Sequence, residues 1–371
     1  MITDLVRAFL PDLAGHPAYV YDLAALGAHA AGIRAALPGT EFFYAAKANP
    51  DVPILRAVAP HVDGFEVASG GELEHVRRAL PTARIAFGGP GKTDAELALA
   101  VRLGVERIHV ESPYELGRLA SMGETDVLLR VNLAGDRGGA ALAMSGPFGM
   151  DPDLIGDCLG ILARSPGLRL RGIHAHLASG LQVADALGQA AEILAWARPW
   201  LAAAGTPDPE INLGGGMGVD YLNPARRFDW SAYGQGVAAL ARPGETLRIE
   251  PGRSVTAHSG WYVTDVLDLK RSHGLWYAIL RGGTHQFRTP VARHDQPFTV
   301  HRGPREPAVR DGPVTLVGQL CTPKDVFARE QPVEALAVGD QVAFAMAGAY
   351  AWNISHHDFL MHPKPDFHYL G

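Results

Sequence analysis

Lys47 closes an apolar run, Phe42-Phe43-Tyr44-Ala45-Ala46. An amine among apolar neighbours has a lowered pKa and forms imines more readily. Taken alone, a lysine snorkelling to a rim is an equal reading. Gly214-Gly215-Gly216-Met217-Gly218 can turn several backbone N–H groups onto an anion such as phosphate. A plain tight turn has the same composition. Glu250-Pro251-Gly252-Arg253 combines a carboxylate able to keep a ring nitrogen protonated with an arginine and an amide suited to phosphate. Its bland reading is a surface ion pair on a turn. Arg130 ends Leu128-Leu129-Arg130-Val131-Asn132 and needs an anion, either a cofactor oxygen or Glu111. His174 and His176, two residues apart, share a strand face. Two such histidines suit a metal, but no third ligand stands at a suggestive spacing. One histidine stacked on a flat ring fits better, and a satisfied core histidine is the plain alternative. An imine-forming amine, a phosphate loop, a carboxylate for a ring nitrogen and a stacking imidazole together describe a pyridoxal phosphate (PLP) site. No metal is expected.

These residues need a scaffold that gathers them. Eight apolar runs end in polar or glycine-rich turns: Phe42–Lys47, Val62–Ala68, Arg84–Gly88, Arg107–Val110, Asp126–Asn132, Leu168–His176, Glu210–Gly214 and Leu247–Glu250. Helical periodicity fills the gaps, at Leu23–Leu37 with Asp22 as its cap, Asp51–Ala59, Gly71–Leu80, Thr93–Leu103, Pro113–Ser121, Pro152–Arg164 and Val183–Ala204. The alternation predicts a (β/α)8 TIM barrel, whose chemistry sits at the C-terminal ends of its strands. Lys47, Arg130, His176, Gly214–Gly216 and Glu250 all fall at such ends. Ala134–Met150 is expected as a long loop over the barrel mouth.

The chain has 371 residues, more than the roughly 250 of a bare barrel. From about Gly260 strand-like runs follow one another without helical crossovers, at Trp261–Leu269, Trp276–Leu280, Val314–Val317 and Gln341–Met346. The expected division is a PLP-binding barrel over 18–255 and a β-rich domain over 256–371 with 1–17. Thr284–Pro313 is expected as a loop rich in Arg, His and Pro. Within the second part, Cys321 is flanked by turn residues with Lys324 and Asp325 close by, and Gly348-Ala349-Tyr350 places a hydroxyl that can donate to phosphate. A half-buried aromatic is the commoner case for Tyr350. Cys158 stands at helical core spacing and is structural.

Net charge is −6 and no Lys/Arg-rich run occurs, so nucleic acid is not an expected partner. Two cysteines make no disulfide framework. Met1–Gly15 lacks a basic and apolar leader, and no segment nears the roughly 18 apolar residues of a membrane span. A cytoplasmic protein without membrane association is expected.

In order, the motifs resemble the fold-type III PLP-dependent decarboxylases, which include ornithine, arginine and diaminopimelate decarboxylases. The resemblance spans nearly the whole chain. It rests on Tyr44–Asn49, Gly64-Phe65-Glu66-Val67-Ala68-Ser69, Gly172–Gly180, Gly214–Gly216, Glu250–Arg253, Cys321 with Asp325, and Gly348–Tyr350. It implies an alanine racemase-like barrel with a C-terminal β domain. It implies that Lys47 carries PLP as an imine, His176 stacks on the ring and Arg130 meets the phenolate side. Gly214, Gly215, Gly216, Gly252, Arg253 and Tyr350 would serve the phosphate end and Glu250 the ring nitrogen, with Ser179 a further cofactor contact. Cys321 would return a proton after CO2 leaves, supplied by the second subunit of a homodimer with a shared active site.

Departures from the pattern narrow the substrate. Diamine-forming members carry an acid directly after the cysteine, where this chain has Thr322. Leu280–Arg288 differs from the usual substrate-aspartate segment, and Ala351–Leu360 is rich in histidine. These stretches are similar to the siderophore-biosynthesis branch, as in staphyloferrin B, achromobactin and vibrioferrin assembly. Arg281, His285, Arg288, Thr322, Asp325, His356 and His357 are the expected surroundings of a small-molecule substrate with extra carboxylates. The expectation is PLP-dependent decarboxylation of an amino acid or its citryl conjugate. Alternatives are a basic amino acid or diaminopimelate decarboxylase, an alanine-racemase-like enzyme, and a non-catalytic decarboxylase-like binding protein. Glu250 and Cys321 argue against the racemase, and retention of Lys47 and Cys321 against the binder.

Overall fold

Eight parallel strands close into a barrel in the computed structural model, which describes residues 2–13, 15–135, 139–144, 146–288 and 295–371. The strands are Thr40–Ala45, Gly64–Val67, Ile85–Phe87, Arg107–Val110, Thr125–Arg130, Leu168–His174, Glu210–Asn212 and Thr246–Ile249. Each pairs with the next, and the last closes on the first through Leu247↔Thr40, Arg248↔Glu41 and Ile249↔Phe42. The apolar runs are the strands because helices cover the outside while side chains fill the inside. The expected (β/α)8 architecture is therefore present.

Helix starts are set by short polar side chains. Asp22 accepts from Ala25 N at 2.8 Å, Ser69 from Glu72 N and Ser112 from Glu115 N. Thr93 and Glu96 form a capping box. The expected helix Pro152–Arg164 is a 3₁₀ turn, Leu154–Gly156, followed by Asp157–Arg164. Trp230–Leu240 is a helix the periodicity does not mark, capped by Asp229.

The N-terminal ends of the strands meet in a buried ionic cluster. Arg248 has no exposed side-chain surface and reaches Glu41 at 2.6 Å, Glu106 at 2.8 Å and Glu210 at 3.0 Å, over the Phe43 ring. Arg84 joins Glu41 and Glu106, and Arg107 joins Glu210 and Asp126. This end is sealed by charge pairs, so chemistry is left to the opposite end.

The chain divides into two compact units: Gly27–Gly218 with Phe228–Val255, and Met1–Leu26 with Val219–Arg227 and Thr256–Gly371. The second carries an eight-stranded mixed sheet. Its strand Ala18–Asp22 pairs antiparallel with Gly260–Ser272 and parallel with Asp366–Leu370. The sequence alone places that strand with the barrel part, because its partners lie more than two hundred residues away, beyond any local pattern. An aromatic cluster packs the unit, with Tyr262–Phe287 centroids 5.1 Å and Phe327–Phe344 centroids 4.9 Å apart.

Both expected long loops carry strands. Leu142–Ala143 pairs with Ala178–Ser179, and Thr284–Pro313 contains Phe298–His301 and the start of Val309–Val317. Residues 136–138, 145 and 289–294 of those loops lie outside the described residues.

Candidate active site

Strand Thr40–Ala45 breaks into a single 3₁₀ turn, Ala46–Ala48, which carries Lys47. Lys47 Nζ stands 2.6 Å from Glu66 Oε2. Ala45 and Glu66 are register partners on adjacent strands, which fixes this pairing. Burial raises the Glu66 carboxyl above its ordinary value, and the Lys47 ammonium opposes the rise. In the sequence Glu66 stands inside a motif that assigns it no role. Its signal is an acid inside an otherwise apolar run that a barrel must bury.

Glu250, after the last barrel strand, receives Asn212 Nδ2 on Oε1 at 2.7 Å. Its Oε2 lies 3.2 Å from His174 Nε2 and its Oε1 3.6 Å from His109 Nε2. His109 and Asn212 carry no signal in the sequence; they reach Glu250 only because the barrel closes. The third ligand that spacing does not reveal is thus supplied by other strands, and the donor atoms of His109, His174 and Glu250 lie within 4.8 Å of one another. The ring geometry nevertheless opposes a metal. The two imidazoles stack with centroids 4.2 Å apart and planes 16° apart. A bound ion must lie near the plane of each ligating ring, and two stacked planes share no such point.

Gly214 and Gly216 adopt φ of +69° and +92°, a region that L side chains rarely enter. A Cβ on Gly216 would stand 2.2 Å from Ala178 O. The loop packs on His176, whose Nδ1 accepts from Gly215 N at 3.2 Å. Burial, with Arg130 and Lys47 as positive neighbours, pushes His176 down to about 3. Gly180 N donates to Gly216 O, which ties the Ala178–Ser179 strand to the same loop. Gly252 packs against Ala45 and Ala48, where a Cβ would meet Ala48 Cβ at 2.8 Å. Arg253 opens the short helix Arg253–Thr256. Lys47, Glu66, His176, the glycine loop, Glu250 and Gly252 thus lie around one barrel end.

Of the two partners left open for Arg130, the structure shows Glu111, at 2.7 Å and buried. Glu111 also accepts from Gly89 N and Gly149 N. Lys92 is a second lysine after a barrel strand, but unlike Lys47 it is buried and closed off by Glu115 at 2.7 Å and Gly89 O at 2.6 Å.

In the second unit Cys321 is exposed. Asp325 and His285, both expected near the substrate, are buried. Asp325 is 2% exposed and accepts from Leu320 N at 2.8 Å and Thr284 N at 2.7 Å. These two bonds hold the turn that carries Cys321. His285 is fully buried beside His362 and His356, and burial lowers it to about 4. Arg288 is exposed, and its N–H donates to Ser355 Oγ at 3.0 Å. Arg281 reaches Asp265 at 3.7 Å. Thr322 Oγ1 accepts from Lys324 N, and His357 stacks on Trp352. Tyr350 sits at φ +50°. Among the described residues no helix is long and apolar enough to cross a membrane.

Residues 23–257 match the sequence profile of the pyridoxal-dependent decarboxylases, pyridoxal binding domain. The chain belongs to the pyridoxal-dependent decarboxylases. It is 44% identical to the 2-[(L-alanin-3-ylcarbamoyl)methyl]-2-hydroxybutanedioate decarboxylase of Staphylococcus aureus, over 96% of this chain and 94% of that one. It is 31% identical to the L-glutamyl-[BtrI acyl-carrier protein] decarboxylase of Niallia circulans, over 94% and 87%. The diaminopimelate decarboxylase of Helicobacter pylori, solved with L-lysine, superposes with a TM-score of 0.88 at 25% identity, over 98% of this chain and 94% of that one. This decarboxylase uses PLP. The donor set suits that cofactor: one amine on a strand-end turn, a loop of glycines in left-handed conformation, and a buried carboxylate held by a side-chain amide and imidazoles.

Proposed function

We propose that this decarboxylase acts on an amino acid bearing a carboxylate-rich, citryl-type tail in siderophore biosynthesis. The observation that carries the reading is the 44% identity, nearly end to end, to the S. aureus enzyme named for such a conjugate. Thr322 supplies no acid to meet a distal amine, and Arg281 and Arg288 offer guanidinium groups for carboxylates. The proposed setting is the cytoplasm.

When bound, PLP supplies an electron sink for the pair left behind as the carboxylate bond breaks. Lys47 is the residue proposed to hold it covalently, with Glu66 steadying the amine at 2.6 Å. Gly214–Gly216, Gly252, Arg253, Ser179 and Tyr350 are proposed for the phosphate, His176 for the ring face, and Glu250 for the ring nitrogen. Arg130 is proposed for the phenolate side, with Glu111 fixing its guanidinium. Cys321 is proposed to deliver a proton to the substrate α-carbon.

The unit of function proposed is a homodimer in which Cys321 comes from the other subunit. Mixing Lys47→Ala with Cys321→Ala subunits would then recover up to about a quarter of wild-type activity, since about half the dimers are mixed and each has one intact site. Absence of recovery after verified subunit exchange refutes sharing. The substrate is tested by CO2 release from citryl-diaminopropionate-type conjugates beside ornithine, lysine, arginine and diaminopimelate. Turnover confined to a simple diamino acid would replace this reading with a basic amino acid or diaminopimelate decarboxylase.

A further inference from the structure

His109 and His174 hold none of the roles described above. His109 lies in strand Arg107–Val110 and His174 ends Leu168–His174; they are 1% and 4% exposed. Both turn Nε2 toward one carboxylate. Glu250 Oε2 is 3.2 Å from His174, and Oε1 is 3.6 Å from His109 while accepting from Asn212 at 2.7 Å. Three nitrogens from three strands therefore surround the two oxygens.

Two further observations give this arrangement a purpose. His109 Nε2 and His174 Nδ1 are buried with no hydrogen-bond partner among the described residues. Buried orphan polar atoms cost stability and are rare unless used. Burial also pushes both imidazoles well below their ordinary value. A neutral imidazole has one N–H to give and no charge. Lysine or arginine in the same place would pair with Glu250 and cancel its charge toward any other cation.

We propose that His109 and His174 are positioning residues for Glu250, a stacked imidazole pair that fixes the carboxylate plane and leaves its charge to the ring nitrogen of PLP. This rests on the reading that Glu250 faces that nitrogen. The pair acts through Glu250 and touches no reacting atom.

The experiment compares equilibrium binding of PLP with that of its 1-deaza analogue, in which C–H replaces the ring nitrogen. Apo forms of the full-length wild type, His174→Phe, His109→Phe and His174→Gln are titrated. Phenylalanine keeps the stacked ring and removes the nitrogens. Wild type is expected to prefer PLP by about tenfold or more, the worth of a hydrogen bond to a charged group. His174→Phe is expected to lose most of that preference while binding the analogue as wild type does. His109→Phe is expected to lose several-fold, and His174→Gln, which keeps an N–H, to recover part of it. Full preference in both Phe variants overturns the proposal and leaves the Glu250 reading intact. Equal weakening toward both ligands assigns the pair to packing and also overturns it. A wild type without preference removes the Glu250 reading and the proposal together. If His174→Phe does not fold, His109→Phe and His174→Gln carry the same comparison.

Discussion

Lys47 Nζ and Glu66 Oε2 stand 2.6 Å apart at the ends of adjacent barrel strands, one side chain 44% exposed and the other 6%. The amine therefore leans from the mouth onto a buried acid. Borohydride reduction of the holoenzyme followed by peptide mapping should find the pyridoxyl group on Lys47. A label on Lys92, Lys270 or Lys324 would remove the assignment. Glu66→Gln should keep the label on Lys47 but lower kcat by about tenfold or more, because a neutral amide no longer steadies the charged amine.

Asp325 predicts a different kind of loss. Leu320 N and Thr284 N both depend on its carboxylate. Asp325→Ala leaves two amides without acceptors and should cost about 1–3 kcal/mol in urea unfolding. The Cys321 turn loosens with it, so kcat should fall as well. An unchanged unfolding midpoint would show that these two bonds do not hold the turn.

Arg288 is the sharper test of substrate charge. Its exposed guanidinium follows Phe287, which is fully buried. Arg288→Ala should lower kcat/KM by well over tenfold on a carboxylate-tailed conjugate. The same change should leave the cofactor absorbance intact. Equal kcat/KM before and after would show that the tail is bound elsewhere.

The buried histidines give a pH signature. In the unfolded chain an imidazole titrates near 6.5. In the fold His109 resists protonation far below that, because of burial. Between those values the unfolded state binds more protons, so stability is lost as pH falls. Relative to His109→Phe, wild type should lose on the order of 1–2 kcal/mol between pH 7.5 and 5. Glu106 acts in a lower window. Burial would raise its carboxyl, but Arg84 and Arg248 override that and hold it down to about 2. Its stabilisation is present above about 4.5 and is lost only as pH falls toward that lower value. Urea unfolding at pH 7.5 and 5 therefore reads the histidine and leaves Glu106 silent.

The barrel was legible because each strand is a short apolar run and each strand end carries a polar or glycine turn. The eight runs lie within a few residues of the observed strands. Lys47, Glu250 and the glycine loop were visible for the same reason. What the sequence hid was pairing at a distance. His109 looks like one polar residue in Arg107–Val110, and only barrel closure sets it against His174. Strand Ala18–Asp22 is hidden likewise, since Gly260–Ser272 and Asp366–Leu370 flank it from far along the chain. The backbone bonds of Asp325 were hidden too, since nothing in the sequence marks Leu320 N and Thr284 N as donors to its carboxylate.

The ionic cluster around Arg248 has a thermal consequence. Its pairing with Glu41, Glu106 and Glu210 buries charge that water would otherwise solvate. Hydration of charge weakens on heating, so such a cluster opposes unfolding relatively better when hot. Arg248→Met leaves three acids facing one another and should cost about 3–5 kcal/mol. The mouth is braced by separate pairs, Arg130–Glu111 and Lys92–Glu115, rather than by one connected network, and its loop carries glycines in left-handed conformation. Heat should therefore strip the cofactor first, and the emptied barrel should melt as a later, separate event.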